Sequence, residues 1–282
     1  MARTLKTLLD GLAFPEGPRW RDGRLWFSDM HASEVVAMSA DGARETVFSA
    51  EGPVSGLGWL PDGRMLVVSM EDRRLLRIER DGRAVTHADL SGIATGNCND
   101  MVVDAAGRAY VGNFGEGYPA GPIQPTRMAR ADPDGRVVAA ADELVFPNGA
   151  VITPDGKTLI VGETFAARMT AYDVAPNGDL SNRRVWAPLP QGAVPDGCCL
   201  DAEGRIWVAS PTSNDVIRLA EGGTVLERIT ADRGVYACTL GGPDRQTLFL
   251  LTCASSNPAE CRADRTGRIE AVRVDVPGAG LP

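Results

Sequence analysis

The stretch Val145–Thr164, VFPNGAVITPDGKTLIVGET, carries two turn signals of different character. Pro154-Asp155-Gly156 lies between two short apolar runs, the natural place for a tight turn. Asn148-Gly149 stands ahead of the first run. It is either a turn of its own or the start of a strand whose first amide is directed at something. The rest of the chain favours the strand, because the same arrangement recurs.

A turn with Gly and a basic residue appears at 21–24, 61–64, 105–108, 154–157 and 202–205. After these turns come the apolar strands LWFSD (25–29), MLVVS (65–69), AYVGN (109–113), LIVGE (159–163) and IWVAS (206–210). A sixth, degenerate copy pairs Pro243-Asp244-Arg245-Gln246 with LFLLT (248–252). The copies follow one another at about 40–50 residues, the period of propeller blades, each a four-stranded sheet that cannot bury its faces alone. A third strand and a Gly turn continue each copy, as in RLLRIERDG (74–82) and DVIRLAEGG (215–223), and a fourth strand follows, as in TVLERIT (224–230).

The sixth copy is short of one strand. After GRIEAVRVD (267–275) only VPGAGLP remains, while RTLKTLLDG (3–11) precedes the first repeat with no other place to go. Pairing the N-terminal segment into the last blade removes two open sheet edges at once. The chain is therefore expected to be all-β, a six-bladed β-propeller closed by its N-terminal strand, with residues 1–282 as one domain. A parallel α/β fold is disfavoured, since long apolar segments of helical period are missing and 32 Gly and 19 Pro are spread as turn punctuation.

The formal charge of −8 counts against nucleic acid or an anionic membrane as partner, both of which need a basic face. No apolar run approaches the roughly 18–20 residues of a membrane span. The N-terminus, MARTLKTLLDGLAFPEG, lacks a long apolar core and a small-residue cleavage site, so a cytoplasmic location is expected. The six cysteines form no C-x-x-C pair and read as buried thiols. Only His31 and His87 exist, which excludes a multi-His zinc site, and both read as surface or loop residues.

In a propeller the first strand of each blade lines the central channel. Counting back nine residues from each turn's basic position gives Ser55, Asn99, Asn148, Asp196 and, in the degenerate copy, Tyr236; Glu16 takes the place in the first copy. Four of these have Gly after them: Glu16-Gly17, Ser55-Gly56, Asn148-Gly149 and Asp196-Gly197. A small neighbour permits close backbone approach. Two carboxylates and two carboxamides converging near an axis make an all-oxygen site suited to a hard cation such as Ca²⁺. The same polar residues could instead simply line a hydrated channel, and spacing does not choose between the two.

The chain resembles the regucalcin/gluconolactonase (senescence marker protein) family of six-bladed propellers, which hydrolyse sugar lactones with a bound divalent metal. The resemblance rests on EGPRW (16–20), Asn99-Asp100, FPNGAVITPDGKTLIVGET (146–164), VPDGCCLDAEGRIWVAS (194–210) and RTGRIEAVRV (265–274), in family order along essentially the whole chain. It implies Glu16, Asn148 and Asp196 as metal ligands and Asn99 as the residue that holds substrate or water. It implies one divalent cation, Ca²⁺ first, with Zn²⁺, Mn²⁺, Mg²⁺ or Fe²⁺ as alternatives. Sugar-lactone hydrolases of the family often carry Arg two residues before that Asn; here GNCND places Asn97 there, and a neutral amide cannot supply the Arg fork. A less polar lactone or another ester is then the expected small-molecule substrate. The insertion FGEGYPAGPIQPT (114–126) reads either as a solvated loop or as a lid, in which Glu116 stands where some relatives place a substrate-contacting Glu and Tyr118 could wall the pocket.

The expected activity is metal-dependent lactone hydrolysis, the cation polarising the carbonyl and Asp196 acting as general base. Asp100 is expected to anchor inner strands. The alternative is a metal-containing small-molecule binding protein or sensor that performs no chemistry.

Overall fold

A computed structural model of the chain describes residues 3–39 and 42–280. Of the span 1–282 expected as one domain, Met1, Ala2, Ala40, Asp41, Leu281 and Pro282 lie outside the described residues. The repeats fold as six four-stranded antiparallel sheets, the blades of a propeller. Their first strands are Pro15–Arg21, Val54–Trp59, Cys98–Val103, Pro147–Ile152, Cys198–Leu200 and Gly234–Gly241, and blades are numbered in that order.

Two glycines of the opening stretch show why its two turn signals differ. Gly156 takes φ +71° and a Cβ there would meet nothing within 4 Å, so its role is conformational: it turns the chain between the first two strands of blade 4. At Gly149 a Cβ would lie 2.5 Å from the Asp196 carbonyl oxygen and 2.7 Å from the Cys198 nitrogen. That glycine is small because blade 5 passes against it. The pairing of strand Pro147–Ile152 with Thr158–Glu163 breaks register between Pro147 and Ala150. Asn148-Gly149 is therefore a bulge at the start of the strand, a device that re-aims a side chain. Register breaks recur at the same place in blades 1, 2, 3 and 6.

Strand alternation explains how the blades hold one another. In IWVAS, Ile206 and Val208 join a cluster with Val151, Ile160 and Met169 of blade 4. Trp207 and Ala209, on the other face, join Cys238, Leu240 and Leu248 of blade 6. Each such Ile, Val or Leu contributes about 1.5–3 kcal/mol by leaving water. No blade could retain that burial alone.

The ring closes as the sequence predicts. Lys6–Leu12 runs antiparallel to Gly267–Arg273, with Lys6 opposite Ala271 and Leu12 opposite Gly267. Arg3 extends the closure by donating to the Arg273 carbonyl at 2.6 Å and to Asp275 at 2.8 Å, and by pairing with Glu227 of blade 5.

Two features have no forerunner in the repeats. A short helix, α1 (Pro258–Asp264), interrupts blade 6 between its second and third strands; Asn257 caps it by accepting from the Ala259 and Glu260 amides, and Pro258 opens its first turn. After the last strand the chain crosses to the end of the channel away from Asp196. There the Ala279 amide donates to the Leu200 carbonyl and the Gly278 amide to that of Arg245, both at 2.9 Å.

All six cysteines are free and buried, as expected. The histidine reading holds for His31, half-buried in a 3₁₀ turn of a connecting loop against Phe14. It needs correction for His87, which is buried in an outer strand of blade 2, its Nε2 3.2 Å from the Asp132 carbonyl. His87 sits where blade 3 covers the outer strand, a contact that repeat spacing does not reveal. No helix of the described residues is long and apolar enough to cross a membrane.

Candidate active site

The bulges of blades 1 to 4 carry Glu16, Ser55, Asn99 and Asn148 to one end of the channel, where Asp196, just ahead of the first strand of blade 5, joins them, all buried. Four blades are joined there by a chain of side-chain hydrogen bonds. Ser55 Oγ donates to Asn99 Oδ1 at 3.1 Å, and Asn99 Nδ2 to Asn148 Oδ1 at 2.9 Å. Asn148 Nδ2 donates to Thr164 Oγ1 at 3.2 Å, and Thr164 Oγ1 to the Pro195 carbonyl at 2.8 Å, next to Asp196. Glu16 accepts from the Gly17 amide at 2.9 Å.

The two carboxyl groups are under electrostatic stress. Burial, then the charges of Asp196 and Asp100, raise the Glu16 pKa well above the ordinary range. Burial likewise pushes Asp196 up to about 8, although hydrogen bonds from Asn148 and the Gly197 amide work the other way. Arg19 of blade 1 bridges to blade 3, donating to Asp100 Oδ1 at 2.9 Å and also to the Pro18 and Met101 carbonyls. A Cβ on Gly56 would lie 2.6 Å from the Met101 nitrogen, so blades 2 and 3 touch backbone to backbone beside this pair.

This donor set fits a hard divalent cation. Glu16 and Asp196 are desolvated, mutually repelling oxygen donors, and the Asn148 carbonyl oxygen, which accepts from Asn99, keeps a second lone pair. Among the described residues no three Asp, Glu, His or Cys side chains gather as a metal cluster.

Aromatic rings surround the site. Phe114 stacks on Phe146 with centroids 4.5 Å apart, and Tyr118 meets both edge-on at 5.1 Å. Phe165 stands perpendicular to Phe146 at 5.1 Å. Across the site Phe14 packs on Tyr236 at 4.6 Å. Burial and then the charge of Asp196 raise the Tyr118 hydroxyl pKa, which places that ring within electrostatic reach of the carboxylate. Asn97 and Glu116 are exposed on the rim, and their carbonyls accept from the Phe114 and Gln124 amides.

Residues 14–254 match the family described as the SMP-30/Gluconolactonase/LRE-like region. The chain belongs to this family. Among similar members, a pentonolactonase of Haloferax volcanii is 27% identical over 279 residues, 95% of this chain and 92% of the relative. Regucalcin of Xenopus laevis is 28% identical over 250 residues, 83% and 81% of the two chains. The solved structure of a calcium-binding protein, regucalcin, from Agrobacterium tumefaciens superposes with TM-score 0.84 at 21% identity, covering 100% of this chain and 97% of that one. That likeness concerns the propeller.

Family-like spacing thus brings together Glu16, Asn99, Asn148 and Asp196, sets Tyr118 beside them and leaves Asn97 and Glu116 on the rim. Sequence reading passed over Thr164, Phe146, Phe165 and Arg19. Thr164 and Phe165 directly follow the strand LIVGE, and Phe146 precedes Pro147-Asn148; proximity in sequence to the bulge and to the strand paired with it was the available signal. Arg19 gave none, because its partner Asp100 is two blades away.

Proposed function

We propose that this chain hydrolyses a lactone with the help of a divalent cation. The observation that carries the reading is the buried pair Glu16 and Asp196 with the Asn148 carboxamide at the channel end, two carboxylates that need a positive charge between them. Relatives named as a pentonolactonase and as a 6-deoxy-6-sulfogluconolactonase support the lactone as substrate class. The cation, for which Ca²⁺ matches the oxygen donors best, would be held by Glu16, Asn148 and Asp196, and when bound would supply Lewis acidity to the lactone carbonyl oxygen.

The remaining work belongs to the chain's own groups. Asp196 takes a proton from the attacking water as that water's oxygen bonds to the carbonyl carbon. The ring C–O bond then breaks and the proton passes to the departing alkoxide oxygen, leaving a hydroxy acid. Asn99, held by Ser55 and Asn148, orients substrate or water without rotating away. Tyr118 walls the pocket, and Asn97 and Glu116 meet the substrate from the rim.

Turnover of a lactone panel with Ca²⁺ and with EDTA tests the reading. Ring opening that EDTA abolishes and Ca²⁺ restores is expected. Ring opening indifferent to EDTA would remove the cation from the mechanism, and no opening of any lactone would leave a binding protein or sensor.

A further inference from the structure

Four aromatic side chains gather at the rim. Phe165 is 51% and Tyr118 39% exposed, two of the five large hydrophobic side chains that remain exposed among the described residues. The other three, Val185, Val225 and Leu226, lie on outermost strands of blades 4 and 5. Only Phe165 and Tyr118 belong to a continuous aromatic surface, with Phe114 and Phe146 beneath them.

That surface is built rather than incidental. Phe146 adopts φ +57°, a backbone conformation that a bulky residue seldom takes. The segment is held there by Glu163, which accepts from the Val145 amide at 3.0 Å, and by Arg183, which donates to the Glu143 carbonyl at 2.9 Å. The result sets the Phe146 ring directly before the Asn148 bulge. Phe165 likewise follows Thr164, the hydroxyl that receives the Asn148 amide. The aromatic patch thus adjoins the polar donor set through Phe146 and Phe165, whose chain neighbours carry the Asn148–Thr164 bond. The lid segment 114–126 carries neither Lys nor Arg, so nothing along it offers a cationic grip on hydroxyl groups. Phe114, Phe146 and Phe165 offer no hydrogen-bond partner to a hydroxyl laid against them.

We propose that Phe114, Tyr118, Phe146 and Phe165 form a subsite for an apolar arm, alkyl or aryl, carried on the ring of the lactone. The proposal rests on the lactonase reading and deepens it: the preferred substrate is a lactone with a hydrocarbon substituent, not a polyhydroxylated one.

The test uses the Ca²⁺-loaded protein and γ-lactones bearing hydrogen, methyl, propyl or pentyl on the carbon next to the ring oxygen, with gluconolactone alongside. Full burial of a methylene raises kcat/KM by about fourfold, and a half-open subsite by about twofold to threefold per methylene. That rise is expected in the native protein, flattened in Phe165→Ala and Tyr118→Ala, whose exposed positions make misfolding a minor concern. In parallel, γ-lactams with the same substituents, which are not opened, report binding by calorimetry. If lactones are hydrolysed but the rate ignores chain length, or gluconolactone is fastest and Phe165→Ala leaves the order unchanged, the subsite is wrong and the lactonase reading stands. If no lactone is opened, the lactams still decide: affinity that grows with chain length and is lost in Phe165→Ala supports the subsite, and chain-independent affinity overturns it.

Discussion

Asn99 of blade 3 donates its side-chain amide to the side-chain carbonyl of Asn148 in blade 4 across 2.9 Å. With Asn148 Nδ2 turned to Thr164 and Asp196, this bond fixes which way the Asn148 amide faces: its oxygen accepts from Asn99 and keeps a second lone pair. A turn residue would have no need of such orientation.

Asn148→Ala should therefore leave the propeller folded while weakening cation binding, by at least the about 10–100-fold that loss of an outer-shell partner costs. Excess cation should recover much of its activity. Asp196→Asn keeps an oxygen donor and similar volume but removes the proposed base, so kcat should stay down by about 10²–10⁴ at saturating cation. Measuring kcat for both variants, with metal content checked directly, separates ligand from base. Complete rescue of Asp196→Asn by metal would show that it only binds.

The exposed position of Asn97 gives room for a longer side chain. Asn97→Arg should raise the kcat/KM of gluconolactone relative to an alkyl γ-lactone by roughly tenfold, the worth of one charge-assisted hydrogen bond. An unchanged ratio would mean that the rim does not touch substrate hydroxyls.

Stability of the cation-free protein should depend on pH in an unusual direction. Burial foremost raises the pKa of Glu16 and pushes that of Asp196 up to about 8. Carboxyl groups whose folded pKa exceeds the unfolded one stabilise most below the unfolded value, about 4, and lose that contribution as pH rises through the folded value. In EDTA the Tm should accordingly fall between about pH 5 and about pH 8 relative to the Ca²⁺ form, since the cation then takes the place of the proton. Calorimetric scans of both forms across this range check it; a Ca²⁺ gain independent of pH would contradict the linkage.

Deletion of residues 1–11 strips the outer strand from blade 6 and the Arg3 links to Arg273 and Glu227. The expected loss is about 10 °C or more in Tm, or insolubility through the exposed edge. A truncated chain that melts with the native one would show that closure contributes little.

The propeller was legible because its turns and strands repeat, and the paired strands fall within a residue or two of the runs read from sequence, as at Met65–Ser69 and Ile206–Ser210. The inward ring was legible for the same reason: equal spacing places Glu16, Asn148 and Asp196 in equivalent positions. What breaks the repeat stayed hidden. The helix Pro258–Asp264 arises from the local Asn257-Pro258 cap, and the Phe114–Phe146 stack joins residues of different blades. Burial of His87 depends on blade 3 passing over it. None of these contacts is periodic.

The Arg19–Asp100 pair and the tail at Gly278–Gly280 have a bearing on traffic. With a buried ion pair tying blades 1 and 3 together and the tail bonded to Leu200 and Arg245 at the far end, entry and exit are left to the end that holds Asp196. Whatever goes in must come back out past the same rings. A hydrophobic arm that speeds capture then also slows departure of the acid it becomes, so long-chain substrates should give a burst of product before a slower steady rate.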